Sequence, residues 1–206
     1  FDPREKHVSL DQGIEECIAI ARLDLRRFAD DFACSIALFA LLERGGQGPS
    51  AGVLGGPFIK YRIIAARDGA LNIYHFACAL ESIRTNLALS KTALAAVDRV
   101  ELREISRRFR QKFPKIDYVR HAIAHAGELS NHPAKLAKNA QKADHVGHGF
   151  SSSKGGVFIE ALKDQTFSVG LDGDIFSVNL DATSLHALIE IQAEIDALFQ
   201  GVDATP

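Results

Sequence analysis

Between Leu10 and Arg44 apolar side chains return every three or four residues: Ile14, Cys17, Ile18, Ala21, Leu25, Phe28, Phe32, Ile36 and Phe39. That spacing places them on one stripe of a long helix and commits the chain to burying that stripe against other helices. Ser9, with Gln12 three residues on, has the pattern of a capping box at its start. Gly45-Gly46-Gln47-Gly48-Pro49-Ser50 breaks the helix, and Gly52, Gly55 and Gly56 extend a flexible loop to about Pro57. A second long helix is predicted from Phe58 to about Ala88, with Ile63, Ala66, Ala70, Ile73, Tyr74, Ala77, Leu80 and Ile83 inward.

A third helix is expected from about Thr92 to Phe113, with Leu102, Ile105, Phe109 and Phe113 on one side. Arg99, Arg103, Arg107 and Arg110 line a neighbouring side. Pro114 ends it, and a fourth helix follows from about Asp117 to Ser130. Residues 131 to 156 are polar and read as a short helical piece near Ala134 to Gln141. A mobile loop follows, through Gly147-His148-Gly149 and Ser151 to Gly156. The period then shortens. Val157-Phe158-Ile159, Thr166 to Leu171 and Asp174 to Leu180 are rich in β-formers, and Asp172-Gly173 is a two-residue hairpin signal. Asp181 or Thr183 caps a last helix with an apolar stripe of Leu185, Leu188, Ile189, Ile195, Leu198 and Phe199. Gly201 to Pro206 reads as a disordered tail.

The fold class that follows is mainly α: a four- to five-helix up-and-down bundle with a small antiparallel β-meander before the C-terminal helix. Residues 1–206 form one domain, because the meander over 157–180 is too small to hold its own core.

Charge and cysteine content narrow the function. A net charge of −2 argues against a generic polycationic nucleic-acid coat and leaves room for a local basic patch. Cys17, Cys34 and Cys78 lie far apart and form no C-x-x-C pair, which fits a reducing, cytoplasmic setting. The opening Asp2, Arg4, Glu5 and Lys6 lack the apolar core of a secretory signal. The longest apolar run, Phe32 to Leu42, is about half the length that spans a bilayer, so no membrane association is expected. The chain has no methionine and its first residue is Phe1, so contiguous motifs carry more weight here than long-range spacings.

The candidate chemistry lies in Arg120-His121-Ala122-Ile123-Ala124-His125. Projected on a helix, Asp117, Arg120, His121, His125 and Glu128 fall within an arc of roughly 140°. Val119, Ala122, Ile123 and Ala126 take the other side. Such a face can be a solvated surface and nothing more. It can be half of a zinc site, with Glu128, His132, His145 or His148 completing it, although Ala122 stands where H-E-x-x-H has its Glu. It can also handle phosphates without a metal or other cofactor. Histidine exchanges protons near neutrality, arginine stabilises phosphoryl oxygens, and RNA brings its own 2′-hydroxyl nucleophile. The same face can bind RNA or a nucleotide without cutting it.

Arg120-His121-x-x-x-His125 resembles the Arg-x(4-6)-His motif of the HEPN family, in which a polar residue often follows the arginine. The string from Tyr118 to Glu128 and the helical plan to about residue 142 are similar to HEPN helices. The resemblance implies a metal-independent endoribonuclease working as a homodimer, with two motifs meeting at a composite site. Arg120 would stabilise the transition state and His125 would exchange the proton, while His121 occupies the position where Asn is more usual. Many HEPN-like proteins are toxins or phage-defence components, so an antitoxin protein is an implied partner. Others have no known catalysis, and a non-catalytic RNA-binding or regulatory module is the alternative. A helical metal-binding protein is the third reading.

The stripe of Arg99, Arg103, Arg107 and Arg110 could extend an RNA-binding surface or be a solvated face paired with Glu101 and Glu104. Arg67-Asp68 and His75 could support the site from behind, with His75 as a core histidine. His145 to His148 reads as a loop. Asp117 and Glu128 are the supporting carboxylates.

Overall fold

A computed structural model describes residues 10–45, 51–128, 131–147 and 150–200. The expected Ser9 cap, the 46–50 break and the tail from Gly201 fall outside them. Two very long helices dominate, α1 (Leu10–Gly45) and α2 (Ala51–Leu87). At about 1.5 Å per residue each runs roughly 54 Å. They are antiparallel. Phe28 meets His75, Ser35 meets Asp68, and Glu43 meets Arg62, so later residues of one pair with earlier residues of the other. The buried stripe of α1 is Ile14, Ile18, Ala21, Leu25, Ala29, Phe32 and Phe39. Cys17, expected inside, is exposed. Between the helices Ser35 and Asn72 are buried and bond to the Asp68 carboxylate, at 2.6 and 3.3 Å. A satisfied polar contact of this kind resists sliding of one helix along the other.

α2 begins at Ala51, not Phe58, and so contains the glycines and Pro57 expected in a loop. The helix thus runs through Gly52, Gly55 and Gly56, each about 1 kcal/mol less favourable than Ala, and through Pro57, which cannot donate its bond.

The predicted third helix is two: α3 (Lys91–Ala96) and α4 (Arg99–Lys112). Asp98 breaks it. Its carboxylate accepts from the amides of Val100 at 2.8 Å and Glu101 at 3.2 Å, starting a new helix. α4 packs its Phe109 flat on Phe76 of α2, with centroids 5.6 Å apart. Next come α5 (Ile116–Ala124) and the short α6 (Pro133–Asn139).

Among the described residues two antiparallel sheets follow. β1 (His145–Gly147) and β2 (Phe150–Ser152) pair as a small hairpin, where a loop was expected. The meander is β3 (Glu160–Lys163), β4 (Thr166–Leu171) and β5 (Asp174–Asn179). Its first strand lies three residues later than the β-rich Val157-Phe158-Ile159, of which Val157 makes only a single bridge to Ala140. Asp172 and Gly173 both have positive φ, 53° and 78°, as a type I′ hairpin turn requires. β4 is buried along most of its length: α5 and α2 both pack against it, and the Phe158 backbone lies against its Gly170 side. Leu180 reaches Gly69 of α2 at a distance that leaves little room for a side chain there.

Asp181 caps α7 (Ala182–Phe199) through the Ser184 amide at 2.7 Å. Its inward stripe is Ser184, Leu188, Ile191, Ile195 and Phe199, while Ile189 is exposed. Arg22 and Arg26 of α1 hold Asp196, and Arg108 of α4 holds Glu194. The molecule is mainly helical with a small antiparallel sheet before its last helix. Among the described residues no helix is long and apolar enough to cross a membrane.

Candidate functional site

Lys115 sets the start of α5. It sits in the left-handed region, with φ 58° and ψ 28°, and turns the chain after Pro114 so that Ile116, Val119 and Ala122 enter the core. The opposite face then carries Asp117, Tyr118, Arg120 and His121. α5 is shorter than the sequence suggests. It ends at Ala124, and His125 is its C-cap. The chain then tightens, with the Glu128 amide donating to the His125 carbonyl at 2.7 Å, a three-residue step.

Despite the early end, the polar residues stay together. The rings of His121 and His125 lie 4.5 Å apart, tilted by 43°. His125 Nδ1 is 3.4 Å from the Glu128 carboxylate, whose other oxygen accepts from Lys135 Nζ at 3.2 Å. Lys135, first, and then His125 hold the Glu128 carboxyl below its ordinary range. Glu128 is therefore a strut between His125 and α6.

A shallow cleft of about 390 Å³ opens beside these groups. Tyr74, Asp117, Tyr118, Arg120, His121, Leu171 and Asp172 line it. The half-buried Arg120 lies with its guanidinium carbon 5.4 Å from the Tyr74 ring centroid. Tyr118 stacks on Phe176 of β5 at 4.9 Å, which ties the α5 wall to the sheet. The Asp172 wall is braced from α6. Asn139 accepts from the Asp172 amide at 2.8 Å, and Lys138 pairs with the Asp172 carboxylate at 2.9 Å. Arg120 and His121 thus face one cavity, whereas His125, in ring contact with His121, is not among the residues that line it.

Of the arginine stripe, Arg110 lines a second, apolar pocket next to the cleft. Arg107 pairs with Glu104. Arg99 and Arg103 are exposed and line neither cavity. Arg67 and Asp68 do not back the site: Arg67 makes a two-pronged pair with Glu160 of β3, and Asp68 serves the contact between α1 and α2. His75 is exposed and stacked on Phe28, not a core histidine. His132 caps α6 by accepting from the Ala134 amide at 3.2 Å, and His145 lies in β1. His148 lies outside the described residues. Among the described residues no group of three or more His, Cys, Asp or Glu is arranged to hold a metal ion.

Tyr74, Tyr118, Leu171 and Asp172 were not legible as site residues. Tyr74 reads as one more inward position of α2 and Asp172 as a turn residue. Only the packing of α5 between α2 and the sheet brings them to Arg120. Comparison with family models, with curated proteins and with solved structures finds no match to this chain.

Proposed function

We propose that the Arg120 cleft binds an RNA phosphate and that the protein is a HEPN-like, metal-independent endoribonuclease. The observation that carries this reading is the placement of Arg120 and His121 on one cleft wall, with the His125 ring against His121. Arg120 holds the phosphate and offsets the charge that builds on its non-bridging oxygens. One imidazole takes the proton of the 2′-hydroxyl as that oxygen bonds to phosphorus. The bond to the 5′-oxygen breaks, and an imidazolium protonates that oxygen as it leaves, giving a 2′,3′-cyclic phosphate and a free 5′-hydroxyl. His121 faces the cleft and is placed to touch substrate; His125, in contact with it, serves as the second proton carrier or its support. A homodimer that completes the site, an antitoxin partner and a cytoplasmic location belong to the same reading.

The test is cleavage of single-stranded RNA in chelator by the wild type and by Arg120→Ala, His121→Ala and His125→Ala. Removal of either the cation or a proton carrier is expected to lower the rate about 100-fold or more, with circular dichroism unchanged. Equal cleavage by wild type and Arg120→Ala would end the proposal.

The second reading, RNA binding without cleavage, is favoured by the position of His125, which is braced by Glu128 outside the cleft lining. It is supported if wild type binds RNA in an Arg120-dependent manner and releases no cyclic-phosphate product.

A further inference from the structure

The pocket that adjoins the Arg120 cleft has a separate character. About 480 Å³ in volume, it has an apolar floor of Ala77, Leu80, Phe109, Phe113 and Ile116, and on its walls the cations Arg110 and Lys115 are balanced by the carboxylates Glu81 and Asp117. Tyr74 and Asp117 line both cavities, so the two adjoin across that pair. The volume lies within the range of small-ligand sites and exceeds what one planar heterocycle needs. The pairing of an apolar slot with a cation-bearing cleft matches a nucleotide, whose base is flat and weakly hydrated on its faces and whose phosphate is anionic. Asp117, on the shared wall, and Glu81 offer acceptors for base N–H groups, and Arg110 and Lys115 offer donors to the base's carbonyl and ring-nitrogen acceptors.

We infer that this pocket takes a single unpaired nucleobase next to the phosphate held at Arg120, which makes the ligand single-stranded RNA and not a duplex. The inference rests on the RNA reading of the Arg120 cleft and adds to it a base-binding subsite. A base in the slot must leave its stack, so an unpaired segment is the form of RNA that fits.

The test compares binding of AMP, GMP, CMP and UMP with that of ribose 5-phosphate, followed by the methyl resonances of Ala77 and Leu80 in wild type and in Ala77→Leu. Nucleotides are expected to bind about tenfold or more tightly than ribose 5-phosphate and to move both methyl groups. Ala77→Leu, which fills the slot from the α2 side, is expected to erase that advantage while ribose 5-phosphate binds as before. The wild-type methyl shifts stand as evidence even if the variant fails to fold. Nucleotides that bind no better than ribose 5-phosphate, or that leave Ala77 and Leu80 unmoved, overturn the subsite. If RNA is still cleaved in an Arg120-dependent way, the ribonuclease reading survives that result. Conversely, tight binding that moves both methyl groups in a protein that cuts no RNA upholds the subsite and removes the catalytic reading.

Discussion

The guanidinium of Arg120 on α5 lies over the ring of Tyr74 on α2, 5.4 Å from its centroid. The contact couples the candidate phosphate ligand to the longest helix of the molecule and reduces the freedom of a side chain that would otherwise sample many rotamers. A cation over an aromatic face contributes roughly 0.5–1 kcal/mol where solvent reaches it. Tyr74 also divides the cleft from the apolar pocket, so one ring serves both cavities.

The same tyrosine should titrate late. The Cys78 thiol beside its hydroxyl is the main cause, with burial adding to it, and Arg120 works in the opposite sense. The folded state favours the neutral phenol, so this contribution is intact below the ordinary tyrosine value and disappears as pH rises through the raised one. Cys78→Ala is expected to bring the Tyr74 titration down, and Arg120→Ala to push it further up. Ring-carbon NMR shifts against pH read both. A downward move on loss of Arg120 would contradict the geometry.

The Glu128 strut predicts acid behaviour of the opposite sign. Its carboxyl is held low by Lys135 and then His125, so the ionised form persists as pH falls below the usual glutamate value. Its contribution is present above that value and is lost as pH drops through the lowered one. Lys135→Ala should return the Glu128 carboxyl carbon titration towards ordinary, and should broaden or shift the His125 ring signals. An unchanged titration would mean that the pair does not form in solution.

Asn139 decides how firmly the far wall of the cleft is held. It is buried and accepts from the Asp172 amide at 2.8 Å. Asn139→Ala leaves that amide without its acceptor, at a cost of about 1–3 kcal/mol. A lowered melting temperature is expected, with faster hydrogen exchange concentrated at the Asp172-Gly173 turn. Exchange that stays slow there would show that Lys138 and the strand ladder suffice.

Gly170 has no space for a side chain, since a Cβ would run into the Phe158 carbonyl oxygen. Because the obstacle is backbone, Gly170→Ala must shift β4 or the 157–159 segment, and a loss of about 1–3 kcal/mol is expected by analogy with overpacked cores. Leu171 and Asp172 follow directly and line the cleft, so the RNA binding proposed for it should weaken along with stability. Chemical denaturation and RNA titration of the same variant measure the two effects.

The sequence by itself determined the local elements whose signals are local. The three-to-four spacing in α1, α2 and α7, the Asp172-Gly173 turn and the Asp181 cap all depend on residues within a few positions of one another. It also assembled the polar face of Asp117, Arg120 and His121, because helical periodicity alone puts them there. It misjudged places where two local tendencies compete. α2 runs through the glycines and Pro57 that read as a break, Asp98 outweighed continuation of α3, and α5 stopped before Gly127 although its apolar pattern runs on. Tertiary structure alone decided that Arg120 and His121 share a cleft from which His125 is set back, and that Tyr74 and Asp172 form its walls. Those neighbours come from α2 and the β4–β5 turn, each about fifty residues away along the chain from α5. Their approach depends on how buried stripes on several elements pack at once, and no pattern within a single segment records that.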